Sequence, residues 1–472
     1  MSTTVKNAYV SNARVSPRPT YHGTVSNLST GLLVLAAVGL GRAIQINYGF
    51  YDSVALGWLT GALLLTLAAI VPGRRRVAWA VSPLSPTVLL GAGLIWQYWM
   101  LLTEQPAMYI RFRRPSEEPT FFAMLIAAAV LSVAVVFGSR RSRRVAFVLV
   151  LALQFGLGAW ILRASPNPRI DVVTVHREAL HALKDGRSPY SITFENIYGR
   201  KHNYAPGLTS GARVLFGLPY PPLSLLMAAP GQWMAGDYRL ASLAALTAGG
   251  AIIALCGWRR SATGIAERQA NLAALLLLFT PRVFFQLEQG WTEPFMILLL
   301  AATVATAKTR ASRPIAGLLL AAKQYLVVLL PLMPLLWPRA TWRRAAQAVA
   351  IASAITLPFL IWDPQGFLKS VVFLQLAEPF RTDSLSYLAW MARNGFGQPA
   401  GWVTLLAAAV AIALALWRLP RTASGFSTAV ALVLLVSFAF GKKAFCNYYF
   451  FVIAALTTAV AAAHMQSEQE EA

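Results

Sequence analysis

Acidic and basic side chains are sparse in this chain, and several stand where an apolar run gives way to a polar one. Asp171 follows the apolar stretch 145–163 and the turn-forming SPNP, and it opens the segment DVVTVHREALHALKDG at 171–186. A carboxylate at a membrane–water boundary is partly desolvated, which strengthens it as a proton acceptor, so Asp171 is a candidate general base. Capping the free N–H groups of a helix start is the other reading. Glu178 comes two turns later, and Glu288 and Glu293 flank a Gln-Gly turn at Gln289 and Gly290, with Gln286 just before it. These acids are substitutes for Asp171, Glu293 ahead of Glu178. Among the cations, Arg282 lies inside the apolar run FTPRVFFQ, Lys323 in a Gly- and Ala-rich stretch, and Lys442 beside Lys443 between two apolar runs. An ionisable side chain at membrane depth costs at least roughly 2.5 kcal/mol on insertion scales, so it is by default a functional candidate with a partner.

The elements that hold these residues follow from composition. The chain has 472 residues, 57% hydrophobic and 12% charged, which excludes an ordinary soluble enzyme. Its 41 Lys and Arg against 18 Asp and Glu give a formal charge of +23. The basic residues cluster between apolar runs of membrane-spanning length, as RRR at 74–76 and SRRSRR at 139–144, so the charge reads as membrane topology and no nucleic-acid partner is implied. About fourteen apolar segments stand out: 30–47, 53–71, 84–103, 119–138, 145–163, 239–257, 271–288, 293–309, a short pair at 313–323 and 325–337, 344–361, 400–417, 427–441 and 446–464. The fold class is an all-α polytopic transmembrane bundle of about 13–14 spans. Pro221, Pro222 and Pro230 interrupt 220–235, which reads as interfacial or re-entrant.

Starting inside and alternating, the basic clusters fall on the cytoplasmic side with both termini, as the positive-inside rule requires. The tail 1–27 lacks the compact apolar core and cleavage site of a signal peptide. Two long loops, 164–238 and 362–399, then face outward, and loops of this length are more often functional than decorative. In the first, Val172, Val175, Ala179, Ala182 and Leu183 share one helical face, so 171–186 is expected to form an amphipathic helix on the membrane surface. Gly186 and Pro189 end it, and a polar stretch with His202, Tyr204 and Pro206 follows.

The order of these features resembles the integral-membrane glycosyltransferases of the GT-C class, and within it glycosyltransferase family 87, the polyprenyl-phosphate-sugar-dependent mannosyl- and arabinofuranosyltransferases. The residues that carry the resemblance are the loop aspartate, GRSPY at 186–190, YPPL at 220–223, GDYRLASLAAL at 236–246, FFQLEQGWTEPF at 284–295, GLLLAAKQYLVVLLPL at 317–332 and FGKKAFCNYYFFV at 440–452. It covers about 145–464. The organisation implied is a cytoplasmic tail 1–27, an accessory transmembrane block 28–144, a GT-C-like catalytic module 145–361 and a C-terminal part 362–472. In the simplest members of the class the aspartate-bearing loop follows the first span. Here four further spans precede it, as an accessory bundle, a partner-docking surface or a site for acceptor lipid.

Transfer from a lipid-phosphate sugar needs a base, groups for the departing phosphate and a groove for the lipid tail. The resemblance points to Asp171 as the base. Lys323, Arg282, Lys442, Lys443 and Arg239 are candidates for the donor phosphate; snorkelling to lipid head groups is the other reading of Lys442 and Lys443, and span anchoring that of Arg239. Tyr204, Tyr220, Tyr448, Tyr449 and Trp291 could stack on sugar rings, and Gln286, Gln289 and Asn447 could hydrogen-bond sugar or acceptor hydroxyls, capping or interhelical contact being the other reading of Asn447. Partners are thus membrane lipids, a polyprenyl-phosphate sugar and a glycan or glycolipid acceptor, at the external face of the cell membrane. No cofactor is required by the sequence: there is no GxGxxG, P-loop, HExxH or GxSxG, Cys256 and Cys446 form no metal pair, and His176 and His181 are poorly spaced for joint ligation. Some members of the wider class use a divalent cation, and nothing here demands one. A transporter or flippase of a lipid-linked substrate is the competing class, though the internal repeat common in transporters is not evident.

Overall fold

The computed structural model describes residues 27–71, 85–110, 118–199, 204–205, 207–258 and 264–465. The tail 1–26, the cluster 74–76, His202, Pro206, Arg259, Arg260 and the C-terminal acids Glu468, Glu470 and Glu471 lie outside the described residues.

The apolar runs fold as helices. The N-terminal block contains α1 (Asn27–Gln45), α2 (Ser53–Ile70), α3 (Ser85–Thr103) and α4 (Pro119–Phe137). Next come α5 (Arg140–Ala164), the loop helices α6 (Asp171–Lys184) and α7 (Pro222–Ala235), and α8 (Arg239–Trp258), α9 (Ile265–Leu278), α10 (Val283–Glu288), α11 (Glu293–Ala305) and α12 (Ser312–Ala322). A 3-10 segment, Gln324–Leu332, runs into α13 (Met333–Leu336) and then α14 (Thr341–Trp362). The second long loop is mostly short helix, α15 (Pro364–Phe367), α16 (Leu374–Ala377) and α17 (Tyr387–Arg393), and the chain ends with α18 (Trp402–Arg418), α19 (Ala423–Ala439) and α20 (Cys446–Ala462). Among the described residues, sheet is limited to three two-residue strands in the first loop, β1 (Phe194–Glu195), β2 (Thr209–Ser210) and β3 (Arg213–Val214), in the order β1-β3-β2. Among the described residues seven helices are long and apolar enough to cross a membrane, and five more apolar helices are shorter. The protein is an all-α, multi-pass membrane protein.

Three interruptions shape the interior. The stretch 271–288, expected as one span, stops at Leu278 and restarts at Val283. Pro281 has no N–H to continue the ladder and disfavours helical geometry at Thr280. The chain turns again between α10 and α11, where Gly290 has φ +66° and any Cβ would lie 2.2 Å from the Tyr238 hydroxyl. The third break is Lys323 itself, extended at φ −157°, ψ 146° between α12 and the 3-10 segment, so the short pair is two elements. Irregular backbone at this depth is tolerated only where protein or water satisfies it.

Helix α20 is the central post, almost wholly buried, packed against α1, α9, α11 and α19. Helix α3 packs on α9, and one hydrophobic core runs from Leu33 to Met465. Helices on both sides of residue 144 contribute to that core. At the other extreme, α14 has Ala348 as its one buried residue, and α14 and α18 carry exposed Trp342, Ile361, Trp402, Leu405 and Trp417, the side chains that lipid would solvate.

The expected surface helix is present as α6. It seats Val172, Val173, Ala179 and Leu180 on Leu225, Ala228, Ala229, Tyr238 and Phe295. Helix α7, at 14 residues, is too short to span.

Candidate active site

Glu293 opens α11, Lys323 ends α12 and Asn447 lies in the first turn of α20. Helix ends favour this arrangement, since an acid suits a helix N-terminus and a cation a C-terminus. The three side chains converge: Lys323 Nζ donates to Glu293 Oε1, Asn447 Nδ2 donates to the same oxygen at 2.8 Å, and Gln286 Nε2 approaches Oε2 at 3.4 Å. Glu293 is fully buried and the Lys323 side chain is 5% exposed. Three tyrosine rings surround the ammonium, with centroids 5.1 Å (Tyr220), 5.6 Å (Tyr325) and 5.7 Å (Tyr448) from Nζ, distances at which a ring face attracts a cation.

Asp171 forms a second cluster. It is the first residue of α6, with Ile170 at the cap position. Its Oδ1 accepts the Val172 N–H at 2.9 Å and the Tyr198 hydroxyl at 3.2 Å, and its Oδ2 accepts the Tyr204 hydroxyl at 3.0 Å. The carboxylate thus takes one backbone N–H of its own helix start, and two phenols fix its remaining orientation. Burial, and next the Asp171 charge, hold both phenols well above their ordinary range, so they stay donors. Tyr220 joins the two clusters: burial raises its hydroxyl, and the charges of Glu293, Asp171 and Glu378 act in the same direction.

Beneath Asp171, His176 is fully buried on the inner face of α6. Its ring stacks on Tyr238 at 5.0 Å and tilts against Tyr220 at 5.4 Å, and Tyr238 donates to the Gly290 carbonyl at 2.8 Å. Nδ1 meets the Val172 carbonyl at 2.8 Å, while Nε2 has no partner. Burial lowers this imidazole to about 4, against the pull of the Val172 carbonyl, so it is neutral near pH 7. A column of rings therefore links the surface helix to the buried lysine.

The other candidates are spent elsewhere. Arg239 is fully buried, pairs with Asp237 at 2.6 Å and donates to the carbonyls of Ser165 (2.9 Å) and Glu288 (3.1 Å). Arg282 donates to the Gln45 and Gln105 carbonyls and lies over the Tyr48 ring at 3.8 Å. Lys442 donates to the carbonyls of Gln375 (2.9 Å) and Glu378 (3.0 Å), and Lys443 pairs with the Glu378 carboxylate at 2.7 Å. These two lysines tie the second long loop to the α19–α20 junction, where burial lowers Lys442 below its usual range. Of the five cations expected at a phosphate, Lys323 alone has its charge inside the cluster. Glu178 is exposed and lines a separate surface cavity of about 410 Å³ with Arg187, Ser188, Ser191, Thr193 and Arg213. Gln289 is buried against Glu288 at 3.5 Å, Tyr449 is buried and donates to the Leu385 carbonyl, and Trp291 packs edge-on to Phe285 at 5.3 Å.

Tyr198, Tyr325 and His176 were not expected in these roles. Tyr325, two residues past Lys323, carried a signal only if the break at Lys323 was known. In the sequence His176 stands out only as a metal ligand paired with His181, at a spacing that disfavours joint ligation. Among the described residues no three His, Cys, Asp or Glu side chains come together as a metal site would need.

No curated protein matches the chain. A crystal structure of ArnT from Cupriavidus metallidurans bound to undecaprenyl phosphate is 15% identical, with a TM-score of 0.44, over 69% of this chain and 60% of that one. The family model described as Glycosyltransferase family 87 matches residues 218–440, the segment that contains Tyr220, Gln286, Glu293, Lys323 and Tyr325. The match covers just under half of the chain, and over residues 218–440 it supports the resemblance to glycosyltransferase family 87.

Proposed function

We propose that the protein transfers a sugar, mannose or arabinofuranose, from a polyprenyl phosphate to a hydroxyl of a lipid-linked or cell-envelope glycan, inverting the anomeric centre. The observation that carries the reading is the pairing of an oriented carboxylate, Asp171, with a lysine ringed by tyrosines at a helix break. Asp171 takes the acceptor hydroxyl proton as the oxygen attacks the anomeric carbon, and the bond from that carbon to the phosphate oxygen breaks on the opposite side. Polyprenyl phosphate leaves with the electron pair, and its charge is met by the Lys323 ammonium with the amides of Asn447 and Gln286. Glu293 holds Lys323 in place between turnovers, which makes it a poor base, since its charge is already matched. Tyr220 and Tyr448 supply faces for a sugar ring, and Tyr198 and Tyr204 aim the carboxylate. Arg239, Arg282, Lys442 and Lys443 are read as scaffold. No resident metal is needed in this scheme.

The site is proposed to face outward with both termini in the cytoplasm, consistent with the basic clusters around α5 and α9. Impermeant thiol labelling of cysteines placed at Glu178 and Arg141 tests it: label at Glu178 alone is expected from outside.

The broken helices at Gly290 and Lys323 are also features of transporters. Transfer of radiolabelled sugar from polyprenyl-phosphate-mannose and polyprenyl-phosphate-arabinose to envelope lipid acceptors separates the two. Wild type is expected to transfer from one donor, and Asp171→Asn to lose at least roughly two orders of magnitude while still folded. Full activity of Asp171→Asn would move the base to Glu293 or Glu178, and no transfer by wild type would favour the transporter.

A further inference from the structure

Two buried charges, Arg282 and Glu288, have no part in the scheme above, and both are spent on the N-terminal block. Arg282 holds the carbonyl of Gln45 at the end of α1 (2.7 Å) and that of Gln105 beyond α3 (3.0 Å). Glu288 accepts the backbone N–H groups of Met108 at 2.7 Å and Tyr109 at 3.0 Å. Hydrogen bonds to an ionised partner are roughly twice as strong as neutral ones. Residues 104–110 are thus clamped from two sides onto the α9–α11 turns, which also carry Gln286 and Glu293.

The clamp delivers Tyr109 to the other cluster. Its hydroxyl donates to the Arg169 carbonyl at 2.6 Å, two residues before Asp171 in the short turn where Ile170 N–H meets the Pro168 carbonyl at 2.9 Å. That turn sets where α6 begins, and hence where its first side chain points. Burial and the charge of Glu288 hold the phenol above its ordinary value, and Asp171 adds to them against Arg169, so it remains a donor at neutral pH.

We propose that Tyr109 is a positioning residue for Asp171, so that residues 104–110, and with them the N-terminal block, help to complete the active centre. The functional half of this inference rests on the glycosyl-transfer reading; the positional half stands alone. Tyr109→Phe deletes the hydroxyl and little else, and Glu288→Gln keeps the shape of the clamp while removing its charge. Both are measured by transfer kinetics, with donor and acceptor varied separately, and by amide hydrogen exchange.

Tyr109→Phe is expected to lower kcat/KM for the acceptor about five- to tenfold, the size of one lost hydrogen bond, with KM for the donor unchanged, and to speed exchange over residues 170–174. Glu288→Gln is expected to speed exchange at Met108 and Tyr109 and to shift the kinetics the same way. Unchanged exchange over 170–174 in Tyr109→Phe overturns the inference whatever the kinetics show, as does a loss confined to a raised KM for the donor. A wild type that transfers nothing while Tyr109→Phe still speeds exchange overturns the transfer reading and leaves the positional link standing.

Discussion

A lysine and a glutamate shut away from water hold each other's charge, and Lys323 and Glu293 do so at the point where three helices end. Removing one partner of such a pair strands the other. Lys323→Met and Glu293→Gln should each destabilise the protein by about 3 kcal/mol, whereas the double variant should lose less than the sum. Thermal unfolding of the four proteins in detergent checks this, and additive losses would contradict the pairing. His176 gives a second test. Its imidazole is held at about 4 when folded, against an ordinary value of about 6.5. Between those values the unfolded chain binds a proton that the folded protein refuses, so the contribution is intact above pH 6.5 and is lost as pH falls toward 4. Wild type should lose more thermal stability between pH 7 and pH 5 than His176→Phe; equal losses would contradict a buried neutral ring. Sequence exposed Asp171, Glu293 and Lys323 as residues in costly places. It could not show that Lys323 meets Glu293, 30 positions away, nor that Arg239 and Arg282 give their donors to distant carbonyls, because a buried arginine reads the same whether a ligand or a loop awaits it.

Helix breaks position these groups, and each has a local cause. Pro281 and Gly290 are breakers, yet a reading based on span length runs 271–288 together as one span across Pro281 and Arg282. The interruption at Lys323 fell where the short pair was expected to divide. Its place is secured by the contact of α12 with α14, where a Cβ on Gly317 would lie 2.6 Å from the Ala348 carbonyl. Lipid supplies no hydrophobic drive between helices, so such close approach is what keeps them together. Gly317→Leu should push α14 outward and cost about 1–3 kcal/mol, with a fall in donor affinity as Lys323 shifts. Unfolding and donor KM measured together decide it; unchanged values in both would show that the contact is dispensable. The amphipathic α6 was legible from its period, whereas the tyrosines it collects arrive from loops whose path no period encodes.

The four leading helices share one core with the rest of the chain. Helix α1 lies on α20 and α3 on α9, so a chain beginning at residue 145 should not give a monodisperse, cooperatively unfolding protein on size exclusion and heating; a stable truncated protein would refute the shared core. Apolar runs and basic clusters made the all-α membrane class plain, but an added block looks separable in sequence because contacts between α1 and α20 span nearly the whole chain. The same long-range folding holds a half-buried carboxylate, Asp171, and a buried cation, Lys323, in one molecule, and a division of labour between them is the core of the proposed mechanism. The most direct test compares Asp171→Asn with Lys323→Met for binding of polyprenyl phosphate and for sugar transfer. Asp171→Asn is predicted to bind polyprenyl phosphate as wild type does and to lose transfer by at least roughly a hundredfold, while Lys323→Met, still folded, loses binding itself. Wild-type binding by Lys323→Met, or wild-type transfer by Asp171→Asn, would contradict it.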